Sequence, residues 1–148
     1  MAQGQLLTFY EFKKNVGGKL HDLANDVFKI ALITTMPTRA DVTPALGDYT
    51  EVSGTNYTAG GETLTMTWVG DGTTTDWSHT GGTITWVTHP SGPTNIIAAL
   101  IYNFTAAGNP AVAFIDMTGD GGTTPISLAD GPITWTPDPS NIIFRLTV

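Results

Sequence analysis

Leu64-Thr65-Met66-Thr67-Trp68, Ile84-Thr85-Trp86 and Ile133-Thr134-Trp135 repeat one arrangement, in which large apolar residues alternate with threonine. A period of two is the mark of a strand with one buried face. Threonine suits the pleated, half-wet side, and Trp, Leu or Ile supplies the core side. The spacing of the three copies is uneven, so they are strand composition and not a solenoid repeat. They predict an all-β domain, an antiparallel sandwich or barrel-like body, whose strands carry almost no chemistry. The residues by themselves therefore read as a scaffold or a binding module.

Working outward, residues 27–34 read as the first core strand, with Phe28, Ile30 and Leu32 on one face and Lys29, Ala31 and Ile33 on the other. Residues 62–69 read as one strand with Leu64, Met66 and Trp68 inward. Asp71-Gly72 is a hairpin turn, from which residues 73–77 pair back. Gly81-Gly82 turns the chain into residues 83–88. The most apolar run, residues 95–104, reads as a central strand covered on both faces. Gly108-Asn109-Pro110 leads into residues 111–117, with Val112 opposite Phe114 and Asp116. Residues 131–136 and 142–148 close the domain, the last with Ile142, Phe144, Leu146 and Val148 against Ile143, Arg145 and Thr147. About eight strands at this turn spacing fit a sandwich.

Residues 1–24 read differently. Thr8 and Glu11 fit a capping box, and Phe9, Phe12 and Val16 recur at helical spacing before Gly17-Gly18. A helix of two turns must dock on its own domain or on a neighbour. Lys13, Lys14 and Lys19 cluster there. They are a solvated face or an arm for an acidic partner. The expected division is an N-terminal arm, 1–24, and a β-sandwich body, 25–148. Residues 35–57 form a long loop with a turn of helix at 45–49; such loops are functional or ordered by a partner.

Composition narrows the classes. The 148 residues suit one domain. A net charge of −7 opposes association with nucleic acid. Charged residues are 13% of the chain, about half the usual share, so much of the exterior can pack against neighbours. There is no cysteine, hence no disulfide or thiolate metal site. No apolar run approaches a membrane span, and the first fifteen residues do not read as a signal peptide.

No catalytic residue, metal site or cofactor motif emerges. The stretch Asp116 to Gly122 suggests a calcium loop but lacks its ligand spacing, and reads better as a glycine-rich turn whose Asp side chains bond backbone amides. His21, His79 and His89 have no ligand spacing. His79 and His89 flank one strand, and His21 suits capping or docking. Asp71 and Asp76 lie in one hairpin tip, with no pocket to raise a pKa. Trp68, Trp86 and Trp135 follow core faces, which leaves Trp77, and with it Tyr102, as the aromatics that a glycan-binding module would expose.

Two segments taken together resemble a known family. Residues 12–32 give a short helix, Gly-Lys-Leu-His-Asp-Leu and a strand opening Asp26-Val27-Phe28-Lys29. Residues 51–61 read E-V-S-G-x-x-Y-x-x-G-G, with Asn56 where glycine is expected. This order resembles small structural proteins of tailed bacteriophages, among them capsid decoration (cement) proteins. The resemblance implies a non-enzymatic protein on the outer surface of the head, bound to the major capsid protein and to itself as a homotrimer. It makes Phe9, Phe12, Lys13, Lys14, Lys19, Tyr49 and Tyr57 the candidate capsid or oligomer contacts. The alternatives are a tail or fibre module that binds host glycan through Trp77 and Tyr102, and a sandwich enzyme with converging carboxylates.

Overall fold

The computed structural model describes residues 4–137 and 142–147. The chain is all-β apart from one short helix. Its elements are β1 (Leu6–Thr8), α1 (Tyr10–Gly17), β2 (Phe28–Ile33), β3 (Glu62–Thr63), β4 (Met66–Gly70), β5 (Thr74–His79), β6 (Ile84–Trp86), β7 (Ala98–Asn103), β8 (Ala111–Asp116), β9 (Ile133–Trp135) and β10 (Ile142–Thr147). A 3-10 turn at Leu46–Asp48 interrupts the long loop where a helical turn is expected.

Three antiparallel sheets result. A five-stranded sheet has the order β1-β8-β7-β2-β3, a three-stranded sheet β10-β5-β4, and a two-stranded ribbon β6-β9. The central strand β7 is buried along its whole length, as its unbroken apolar run demands. One face of the large sheet carries Phe28, Ile30, Leu32, Ala99 and Ile101. It packs against Trp77, Trp86 and Trp135 from the two smaller sheets. The other face carries Ala31, Ile33, Leu100 and Phe114, and is covered by Met36, Leu46 and Tyr49 from the long loop.

That loop is therefore a layer of the core. The N-terminal segment is likewise part of the body: β1 extends the large sheet by pairing with β8, and Phe9 and Phe12 have no exposed surface. The division at residue 24 has no counterpart in the packing. Thr8 does not cap α1, because it belongs to β1. Phe9 holds the cap position in extended conformation, without a side-chain bond.

The reading of residues 62–69 as one strand is corrected. The chain leaves the large sheet after Thr63 and enters the small one at Met66, with buried Leu64 at the corner. Strands that switch sheets make the corners of such packings. In β8 the pairing runs Ile101 with Ala113 and Tyr102 with Ala111, so Val112 is left as a bulge. The extra residue puts Val112 beside Ala113 on one face and Phe114 on the other, which produces the opposition of Val112 and Phe114 read from the sequence; strict alternation would place them together. In β10 a register shift between Ile142 and Phe144 breaks the expected alternation: Ile143 is buried and Leu146 is half exposed. Val148 and the side chain of Ile142 lie outside the described residues.

Candidate functional site

The segment from Glu51 to Gly61 is a latch on the open edge of β2. Ile33 bridges Glu51, and the Leu32 carbonyl accepts the Val52 N–H at 3.0 Å. The neighbouring Leu32 N–H donates to the Tyr57 hydroxyl at 3.1 Å. That hydroxyl donates in turn to Glu51 Oε1 at 2.6 Å, an oxygen that also takes the Gly60 N–H at 2.6 Å. Tyr102 reaches up from β7 and donates to the Gly60 carbonyl at 2.6 Å. Burial, then the bond to Glu51, pushes the Tyr57 phenol well above its ordinary range. Burial and the Glu51 charge push Tyr102 up to about 12. Gly61, at φ +72°, crosses so close that a Cβ would lie 1.9 Å from the Ile30 carbonyl oxygen. Asn56 holds φ +63° and donates to the Val87 carbonyl at 3.3 Å. Asparagine tolerates that left-handed conformation, so the departure from glycine has a physical reason.

Tyr49 is similarly committed. Its hydroxyl donates to Asp41 at 2.7 Å, and burial with that bond raises its pKa beyond the ordinary range. Tyr49 and Tyr57 thus hold loops in place. Trp77 and Tyr102, the expected exposed aromatics, are corrected outright: neither exposes more than 1% of its surface. Trp77 stacks on Phe12 at 5.7 Å and meets Phe28 edge-on at 4.6 Å. Its cross-strand partner Trp68, expected in the core with Trp86 and Trp135, is only half buried, because β4 is the edge strand of its sheet. Phe9 and Phe12, expected as outward contacts, are likewise interior.

The groups with possible chemistry are largely spent on turns and on cross-strand bonds. Asp116 accepts N–H bonds from Thr118, Gly119 and Gly121, and Asp120 from Thr123 and Thr124. Burial alone would raise the Asp116 pKa, yet these bonds keep it below its ordinary value; the Thr118 hydroxyl and its neighbours bring Asp120 down to about 2. Asp71 is lowered by the N–H groups of Thr74 and Thr73. Asp76 holds Arg145 at 2.6 Å across the sheet. His79 is buried, with Nδ1 accepting from Thr65 N–H and Nε2 next to the Gly82 carbonyl, while His89 Nδ1 accepts from Ser91 N–H. Among the described residues no three acidic, His or Cys side chains converge as metal ligands.

Two outward surfaces pair an aromatic ring with a cation: Phe104, 50% exposed with Lys29 over its ring at 4.2 Å, and one face of α1. Tyr10, Lys13, Lys14 and Gly17 fall at helical spacing, and all are exposed. Arg39 joins them: its Nε donates to the Thr8 carbonyl at 2.9 Å, its carbonyl accepts the Tyr10 N–H, and its guanidinium lies 4.9 Å from the Tyr10 ring centroid. Lys14 meets Glu11 at 3.3 Å, Tyr10 is 60% exposed, and Val42, three residues beyond Arg39, is 78% exposed. Lys19, exposed at φ +63°, follows the end of the helix. Four of the six cations of a chain of net charge −7 thus belong to α1, to the residues after it or to the loop against it. The spacing of Tyr10, Lys13 and Lys14 carried this face in the sequence, whereas Arg39 gave no signal because its place depends on the fold. No described helix is long and apolar enough to cross a membrane. No protein-family model, curated protein or solved structure matches the chain.

Proposed function

We propose that this chain is a structural protein of a bacteriophage virion, a decoration protein that binds the outside of the head and braces the shell against internal DNA pressure. The observation that carries the reading is the contrast on the surface. Asp71, Asp116 and Asp120 are tied into turns and Asp76 into a cross-strand pair with Arg145, while an aromatic and cationic helix face is left outward on an acidic body. Such a face suits an acidic partner surface, which here is the major capsid protein. The similarity of residues 12–32 and 51–61 to phage structural proteins supports the same class.

Each bound copy adds binding free energy to the assembled state alone, which is how a cement protein stabilises a shell. Three copies around a local three-fold axis would close the contact symmetrically. The glycan-binding alternative loses support, because Trp77 and Tyr102 are inside the fold. Adding purified protein to heads that lack it, followed by cryo-electron microscopy, tests the proposal. Regular density at local three-fold positions, with α1 against the shell, is expected. Bare shells overturn it.

A further inference from the structure

We propose that His21 is an acid-operated latch: its imidazole holds the corner between α1 and β2 on the end of β7, and protonation releases that corner. The latch is centred on Asn103, fully buried at the end of β7. Its Oδ1 accepts the N–H groups of Thr105 at 2.9 Å and Ala106 at 3.0 Å, which fixes the orientation of the amide. Its Nδ2 can therefore only donate. It does so to Asp26 at 2.6 Å and towards His21 Nδ1 at 3.2 Å. Asp26 in turn accepts the Asp22 N–H at 2.9 Å, so this amide ties both ends of the corner from residue 21 to residue 26, beside the buried Leu23 side chain and the Val27 N–H bond to the Thr105 hydroxyl.

The arrangement works only with neutral His21. Nδ1 must be the acceptor, so the proton sits on Nε2, and that N–H is buried without a partner. The ring lies between Phe12 at 5.7 Å and Phe28 at 6.2 Å, and His21 is 4% exposed. A proton added to Nδ1 sets two donors facing each other, and it buries a cation among aromatic rings with one N–H unmatched. The groups around it do not relieve this fully. α1 and β2 offer Phe12 and Phe28, and β7 offers only the Asn103 amide. Within the corner, Asp22 is occupied by Ala24 and Asn25, and Lys19 lines the same hollow as His21. Asp26 is the one opposing charge, and it is shared with Asn103 and the Asp22 amide. Burial outweighs its attraction and pulls the His21 pKa down to about 4.

The corner also has room to move. A hollow of about 380 Å³ lies between it and Trp68, lined by Val16 and Lys19 and, from the corner, by His21, Asp22, Leu23 and Ala24. Opening would carry Leu23 off the core and give water a path to the aromatic cluster of Phe12, Phe28 and Trp77.

Hydrogen exchange of the full chain, corrected for intrinsic rates, is compared between pH 7 and pH 4, alongside NMR titration of the imidazoles. Amides of residues 20–26 should lose protection by up to about tenfold per pH unit as His21 takes its proton, while β7 and β8 remain protected. The His21→Asn variant, which keeps an acceptor near the Nδ1 position but cannot titrate, should lose the pH dependence. Three results overturn the latch: a His21 that titrates near 6.5, a corner that keeps its protection to pH 4, or loss of protection only together with the central strands. The wild-type titration decides the question even if the variant folds poorly.

Discussion

The Tyr57 hydroxyl stands in the β2 ladder where a backbone group would otherwise pair with the Leu32 N–H, at 3.1 Å. It seals the gap between the two-residue strand β3 and the bridge at Glu51, an edge that would otherwise invite pairing with another chain. Tyr57→Phe leaves the Leu32 amide and one Glu51 bond unmet. The expected loss is about 1–3 kcal/mol in urea unfolding. A change below a few tenths of a kcal/mol would show that water takes the place of the phenol.

Gly61 and Asn56 should respond in opposite ways, although both have positive φ. Gly61→Ala drives a methyl group into the Ile30 carbonyl and should cost more than about 3 kcal/mol, or prevent folding. Asn56→Gly removes two long, exposed bonds and keeps an allowed backbone, so the shift should stay within about 0.5 kcal/mol. Thermal melts of the two variants side by side are enough to check this.

Removal of residues 1–24 should not leave a folded body. It deletes the edge strand β1, together with Phe9 and Phe12 from the two faces of the large sheet. Phe12→Ala alone should cost about 3–5 kcal/mol. A truncated chain with native near-UV circular dichroism would restore the idea of a detachable arm.

On the outward face of α1 the expectation reverses. Lys13→Glu with Lys14→Glu breaks only the exposed pair with Glu11, worth at most about 0.5 kcal/mol. Stability should barely move, while sedimentation with capsids should fall tenfold or more. Unchanged capsid binding by a folded double variant would remove α1 from the contact.

Stability should decline in acid in two stages. Burial depresses the pKa values of His21 and His79, so the unfolded chain binds more protons below about 6.5. Their contribution is complete above that pH and is lost as the pH falls below it, for His21 down to about 4. The carboxylates held low by turn hydrogen bonds, Asp71 by amides and Asp120 first by the Thr118 hydroxyl, contribute above their unfolded values and lose that contribution as the pH falls below about 4. Urea midpoints measured from pH 7 to pH 3 would trace both stages. A flat profile between 6.5 and 4 would mean that the histidines are hydrated.

Alternation by itself determined the class of this protein. The threonine and tryptophan periods, the Asp71-Gly72 turn and the unbroken run that forms β7 are local signals, and a strand with a buried face shows its period wherever it later pairs. The glycine-rich turn at 116–122 was legible for the same reason, since Asp side chains there bond amides only a few residues away. Only the tertiary structure decided which way the aromatics face. Trp68, with the apolar alternation of a core strand, lies on an edge strand, whereas its cross-strand partner Trp77, flanked by Asp76 and Ser78, lies beneath Phe12 and Phe28. The roles of residues 6–24 and 35–61 were also decided there, because a helix or loop that completes a core looks in sequence like one that waits for a partner. The Arg39–Tyr10 pairing and the Asn103 amide that holds His21 and Asp26 join residues 29 to 82 positions apart. Burial and long-range hydrogen bonding belong to the assembled chain, and no short-range pattern encodes them.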